Sequence, residues 1–143
     1  MSDNHNNEPR EVGYNKSYKE DIFKAWTNRE SSSLFAGATQ ADLFFFAMAV
    51  GFNRNKFSLI SPAKNKANDV SVNALSESQK WGILCVGIAK NNDLLVLKDE
   101  RPIYSDAEQY ANEGIKILQS HVDNNGTNYP KHLEAELREL LNQ

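Results

Sequence analysis

Eight consecutive residues, Leu43 to Val50 (LFFFAMAV), give a helix no polar side, and a chain in water accommodates such a helix only at the centre of a fold. The signals around the run define its ends. Gly37 permits a tight approach, Thr39 suits an N-cap, and Asp42 at the third helical position faces the positive end of the helix dipole. Gly51 stands where a left-handed C-terminal residue belongs, with Phe52 as the hydrophobic contact of a Schellman-type stop, so the helix is expected over Gln40 to Val50.

A second apolar helix opens at the capping box of Ser76 and Gln79 and runs to about Lys90. Trp81, Ile83, Leu84, Cys85, Val86 and Ile88 leave it little polar surface, which makes Cys85 an expected core thiol. Gly82 and Gly87 each cost about 1 kcal/mol of helix propensity relative to alanine, and so predict close approach of a neighbour. The expected fold is a compact all-α domain of five or six helices in which these two apolar helices cross. Ser17 with Glu20, and Ser105 with Glu108, mark two further helix starts, over Tyr18 to Asn28 and from Ser105 to about His121. Leu94 to Leu97 reads as a helical turn in preference to a strand. Pro130 opens a last helix to Leu141, on which Leu133, Leu137 and Leu140 form a narrow stripe suited to a protein partner. Three parts are expected: a disordered or loosely docked tail over 1–16, a helical core over 17–124, and a C-terminal amphipathic helix over 125–143, docked or partner-binding.

Charge limits the functional classes. A net charge of −3 and a pI near 5.6 argue against a general nucleic-acid binder, so any such contact must be local. One stretch qualifies. Between Asp42 and Asp69 there is no acid, and Arg54, Lys56, Lys64 and Lys66 fall there together. These cations suit phosphates, Asn53 and Asn55 supply hydrogen-bond donors, and Phe52 or Phe57 offers a ring for a base. The competing reading is a solvated loop at a helix C-terminus, where cations are favoured anyway.

The chemistry of catalysis finds little purchase. The isolated glycines make no phosphate loop, a lone Cys85 excludes an internal disulfide and a multi-cysteine zinc site, and no nucleophile stands beside a base. No cofactor and no metal site are expected, and the protein is expected not to be an enzyme. The alternative is a metal-dependent, nuclease-like subunit using Asp93, Asp99, Glu100 and a histidine, and a third class is a self-assembling scaffold. No secretory leader and no run near 18 apolar residues is present, so a cytoplasmic protein without a membrane span is expected.

Two motifs carry a family resemblance. An acid followed by apolar residues and then Ala-x-x-x-Gly-Phe with basic residues spans Asp42 to Lys56, and a Glu-Tyr-Ala-Asn-x-Gly pattern recurs at Glu108 to Gly114 with Gln109 inserted. With the helix SQKWGILCVGIAKNNDLLVL between them, the chain resembles the small helical proteins accessory to DNA phosphorothioation (Dnd) defence systems, over about Lys19 to Val122. The resemblance implies a bacterial anti-phage accessory or adaptor that binds a larger protein subunit, with DNA as a further candidate partner and self-association as an option. It transfers no catalytic residue, and it leaves the C-terminal leucine helix outside.

Overall fold

Val12 and Tyr14 are 1% and 2% exposed, a degree of burial that a loose tail does not reach. They belong to strand β1 (Glu11–Asn15), which pairs antiparallel with strand β2 (Lys66–Ser71), Val12 opposite Val70 and Tyr14 opposite Ala67, with a bulge between. The computed structural model describes residues 7–125 and, near the C-terminus, 134, 135, 137–139, 141 and 142. Two expectations are corrected here: the fold is mostly helical but not all-α, and the segment assigned to a tail contributes a strand through residue 15. Gly13 sits at the bulge, where a Cβ would lie 2.7 Å from the Lys66 side chain and 2.8 Å from the Ala67 carbonyl oxygen.

The strand leads into irregular helical turns, a 3-10 turn over Lys16–Tyr18, a π-helical stretch over Lys19–Lys24, and the short helix α1 (Ala25–Thr27). The capping box expected of Ser17 is absent, because the Asn15 side chain accepts from the Ser17 N–H two residues before the expected start. Ile22 and Phe23 are buried as the pattern required, Phe23 stacked on Tyr14 with centroids 3.7 Å apart.

Helix α2 (Gln40–Asn53) starts where Thr39 and Asp42 form the expected capping box, and helix α3 (Glu77–Asn91) where Ser76 and Gln79 form another. Gln79 Nε2 also donates to Asp42 Oδ1 at 2.9 Å, tying the two starts together. Hydrogen bonds from Gln79 and then Thr39 hold the Asp42 carboxyl below its ordinary pKa. A lowered carboxyl stabilises the fold above the unfolded-state pKa of about 3.9. That contribution is lost as pH falls through the folded value. Thr39→Ala is expected to cost about 1 kcal/mol, read as a lower thermal midpoint at neutral pH, with the difference from wild type shrinking once Asp42 is protonated.

Helix α4 (Arg101–Asn125) begins four residues before Ser105, with Pro102 tolerated in its first turn. Ser105 therefore lies inside the helix and caps nothing. The two apolar helices do not form the principal crossing. Helix α2 lies instead against α4, where a Cβ on Gly51 would enter the Tyr110 carbonyl and one on Gly114 the Ala47 carbonyl. Gly51 is thus a crossing residue inside a longer helix. The expected Schellman stop exists four residues on, with Asn55 left-handed at φ 55°, Lys56 N–H on the Gly51 oxygen at 2.9 Å and Asn55 N–H on the Phe52 oxygen at 3.0 Å. The other glycines behave as predicted: Gly82 meets the Phe45 ring at 2.9 Å and Gly87 meets Ile103 at 2.6 Å, measured from where a Cβ would be. Leu94–Lys98 is a 3-10 turn.

Candidate binding surfaces

The segment after α2 is fastened along α4 rather than hanging free. Ser58 N–H donates to the Gln109 oxygen at 3.2 Å, Asn112 Nδ2 donates to Ser58 Oγ at 2.8 Å, and Ser58 Oγ donates to Glu113 Oε2. With Lys116 at 2.9 Å on the same carboxylate, Glu113 is held below the usual glutamate range, the Ser58 bond being the leading cause and Lys116 the next. Phe57 rests edge-on against Tyr110, and Lys90 Nζ lies 4.7 Å above the Phe57 ring while pairing with Asp106 at 3.0 Å. Backbone direction is therefore fixed at Phe57 and Ser58, and Leu59 is left 69% exposed.

Of the four cations in this segment, Arg54, Lys56 and Lys64 stand exposed. Lys66 does not share their position. It lies on β2, where its Nζ meets Glu108 Oε1 at 2.9 Å while the other carboxylate oxygen accepts the Gly13 N–H at 2.6 Å. The expected role of Lys66 toward phosphates thus competes with a structural ion pair. Asn53 is the last residue of α2 and Asn55 is its left-handed stop, a conformation asparagine accepts more readily than other non-glycine residues, which gives Asn55 a reason in the backbone. Beside the segment, Leu59, Ile60, Ser61, Ala63, Ser105 and Gln109 line a groove of about 220 Å³, with Lys66 and Glu108 at its side.

The carboxylates suggested for metal chemistry are otherwise employed. Asp93 accepts from the Leu95 N–H at 2.9 Å and starts the 3-10 turn. Asp99 takes Arg101 Nε at 3.0 Å and Nη2 at 2.9 Å, and these bonds lower its carboxyl pKa. Glu100 is 2% exposed. Among the described residues no three His, Cys, Asp or Glu side chains come together as a metal would need, and His132 lies outside the described residues. Cys85, expected in the core, is exposed, because α3 buries only the side carrying Ile83, Leu84 and Val86.

The proposed partner-binding leucines divide the same way. Leu137 is helical and 51% exposed, whereas Leu133 and Leu140 lie outside the described residues. Leu141, four residues beyond Leu137 and on the same face, is 85% exposed. Sequence reasoning missed a second apolar pair. Leu94 and Leu95 are 69% and 63% exposed on the 3-10 turn that follows the left-handed Asn92. The signal was a four-residue apolar run too short to have two buried faces. Among the described residues, no helix is long and apolar enough to cross a membrane.

The family model described as DNA sulphur modification system-associated protein 4 matches residues 16–142. The match extends past the resemblance noted above at both ends, and it takes in the C-terminal leucine segment that the resemblance left outside. Neither the curated proteins nor the solved structures contain a match.

Proposed function

We propose that this chain, which belongs to the DNA sulphur modification system-associated protein 4 family, serves that system as a non-enzymatic accessory or adaptor protein docking on a larger subunit. The observation that carries the proposal is the display of Leu94 and Leu95 on a capped turn, Asp93 closing its start and Asn92 the helix before it. A leucine held in water forgoes the roughly 1.5–3 kcal/mol that burial of its side chain would contribute. Two adjacent ones on a fixed turn make an anchor that a partner subunit can cover at little ordering cost. The family association supports a setting among bacterial defence genes, and a cytoplasmic site of action belongs to the same proposal.

DNA contact is the second part of the reading and falls to Arg54 and Lys56, with Lys64 further along, Asn53 before Arg54 and Asn55 between Arg54 and Lys56. Three exposed cations give modest, salt-sensitive binding, fitting a protein that adds to a complex. Two measurements test the two parts separately. Tagged protein recovered from a cell carrying the modification system is expected to bring subunits of that system with it after nuclease treatment, and Leu94→Asp with Leu95→Asp is expected to lose them. Recovery of none of those subunits by the unaltered protein would overturn the adaptor reading. In a salt titration of DNA retention, Arg54→Glu with Lys56→Glu is expected to abolish retention; retention with an unchanged slope removes DNA from the proposal.

A further inference from the structure

The leucine face near the C-terminus and the groove beside residues 59–63 each leave apolar surface in water, and the charges beside them are of opposite sign. Leu137 and Leu141 share an exposed face, and the described residues around them carry Glu134, Arg138 and Glu139, with Arg138 Nη2 pairing to Glu134 at 2.6 Å. Glu139 is exposed. The groove has Leu59, Ile60 and Ala63 among its walls beside the polar Ser61, Ser105 and Gln109; its own carboxylate, Glu108, is already taken by Lys66 and the Gly13 N–H, and the exposed Lys64 directly follows Ala63 in the chain. A leucine face carrying the acid Glu139 thus matches a groove with apolar residues in its walls and one exposed lysine, Lys64, next to them in the chain.

We infer that the occupant of the groove is the Leu137–Leu141 face of a second copy of this chain. The leucines stand in solvent on their own protomer, and each chain carries both the knob and the groove. Two copies can therefore exchange them about a twofold axis. Reciprocity doubles the apolar surface removed from water, which a single short leucine face could not supply to a stable contact. Leu137 enters between Leu59 and Ala63, and Glu139 faces Lys64. The contact does not rest on the adaptor reading, since it uses neither Leu94 nor Leu95. It lies on the same segment as the proposed DNA contact, so the dimer and DNA compete for it.

The test is the mass of the nuclease-treated full chain by sedimentation at several concentrations. A mass rising to twice that of the 143-residue chain is expected. Leu137→Asp and Leu59→Asp should each return it to the monomer with far-ultraviolet circular dichroism unchanged. Both sites are exposed, so folding is expected to survive. Glu139→Lys and Lys64→Glu should each weaken association at least tenfold, and the two together should restore it. A chain that stays monomeric at every concentration overturns the inference. So does a dimer indifferent to both leucine changes, or a crosslink between positions 59 and 137 that forms only within one chain. The DNA reading stands or falls on Arg54 and Lys56, so its failure is distinguishable from failure of the dimer.

Discussion

Gly114→Ala is expected to be among the most damaging single changes this chain can suffer, lowering stability by about 3 kcal/mol or more. Replacing glycine by alanine inside a helix ordinarily gains about 1 kcal/mol of propensity, so the sign must be decided by contacts. At Gly114 the new methyl would be driven into the Ala47 carbonyl oxygen, with the carbonyl carbon at 2.6 Å and Cα at 3.1 Å. All three are backbone atoms of α2, which no rotamer change can move. The helices must separate, and the core residues Phe44, Met48, Ile115 and Leu118 along the crossing lose contact. Gly51→Ala meets the Tyr110 carbonyl and is expected to behave alike. For a chain of this size each kcal/mol moves the thermal midpoint by roughly 4 °C, so a fall on the order of 10 °C is expected for Gly114→Ala. A midpoint within a degree or two of wild type would show that α2 and α4 are not in backbone contact. Gly82→Ala is the control: it meets only the Phe45 ring, which can turn, and its expected loss is smaller.

The same crossing explains which parts of the fold were legible. Thr39 with Asp42 and Ser76 with Gln79 are signals whose partners lie three residues apart, and both capping boxes form. Glu108 carried the same local pattern with Ser105, yet its carboxylate is claimed by Gly13 and Lys66, which lie 95 and 42 residues away in sequence. A window of a few residues does not contain those partners. Gly51 was misplaced for a related reason: its absent side chain answers to Tyr110 on another helix, and the true stop at Asn55 carries a weaker local signal than glycine. Strand β1 is short, and Val12 and Tyr14 are embedded among asparagines that weigh against order. The cationic segment was visible because charge can be counted without a fold. Its division into exposed Arg54, Lys56 and Lys64 and a less exposed Lys66 held by Glu108 on β2 needed the third dimension.

Position on the surface also separates the proposed activities. Leu94 and Leu95 lie on the 3-10 turn after α3, whereas Leu59 and Lys64 lie between α2 and β2, fastened on α4 through Ser58. The proposed docking on a larger subunit and the inferred self-association would therefore use different elements of one domain. The proposed DNA contact and a second copy would compete for one element. An accessory protein arranged this way would exchange self-contact for DNA while remaining attached to its complex.

Glu108→Ala is the second large effect, and it reaches from the core to the cationic segment. The carboxylate is 9% exposed at the level of the residue and binds two donors at once, the Gly13 N–H at 2.6 Å and Lys66 Nζ at 2.9 Å. Removing it orphans a backbone donor that lies inside the β1 bulge, and leaves a half-buried ammonium without its counter-charge. The first loss costs about 1–3 kcal/mol. The second adds less than a fully buried ion would, because the Lys66 side chain keeps 30% of its exposure and can reach water. A total of about 3 kcal/mol is expected. Glu108→Gln should retain part of it, since an amide oxygen can still accept from Gly13 while the charge is lost. Hydrogen exchange separates the contributions. In Glu108→Ala the Gly13 amide and the β1–β2 ladder are expected to exchange faster by a larger factor than α3, because the lost bond anchors the sheet to α4. Equal acceleration throughout the chain would show that Glu108 stabilises the fold only globally and does not pin β1. With Lys66 released, DNA retention by Glu108→Ala is expected to rise, because a fourth cation joins Arg54, Lys56 and Lys64.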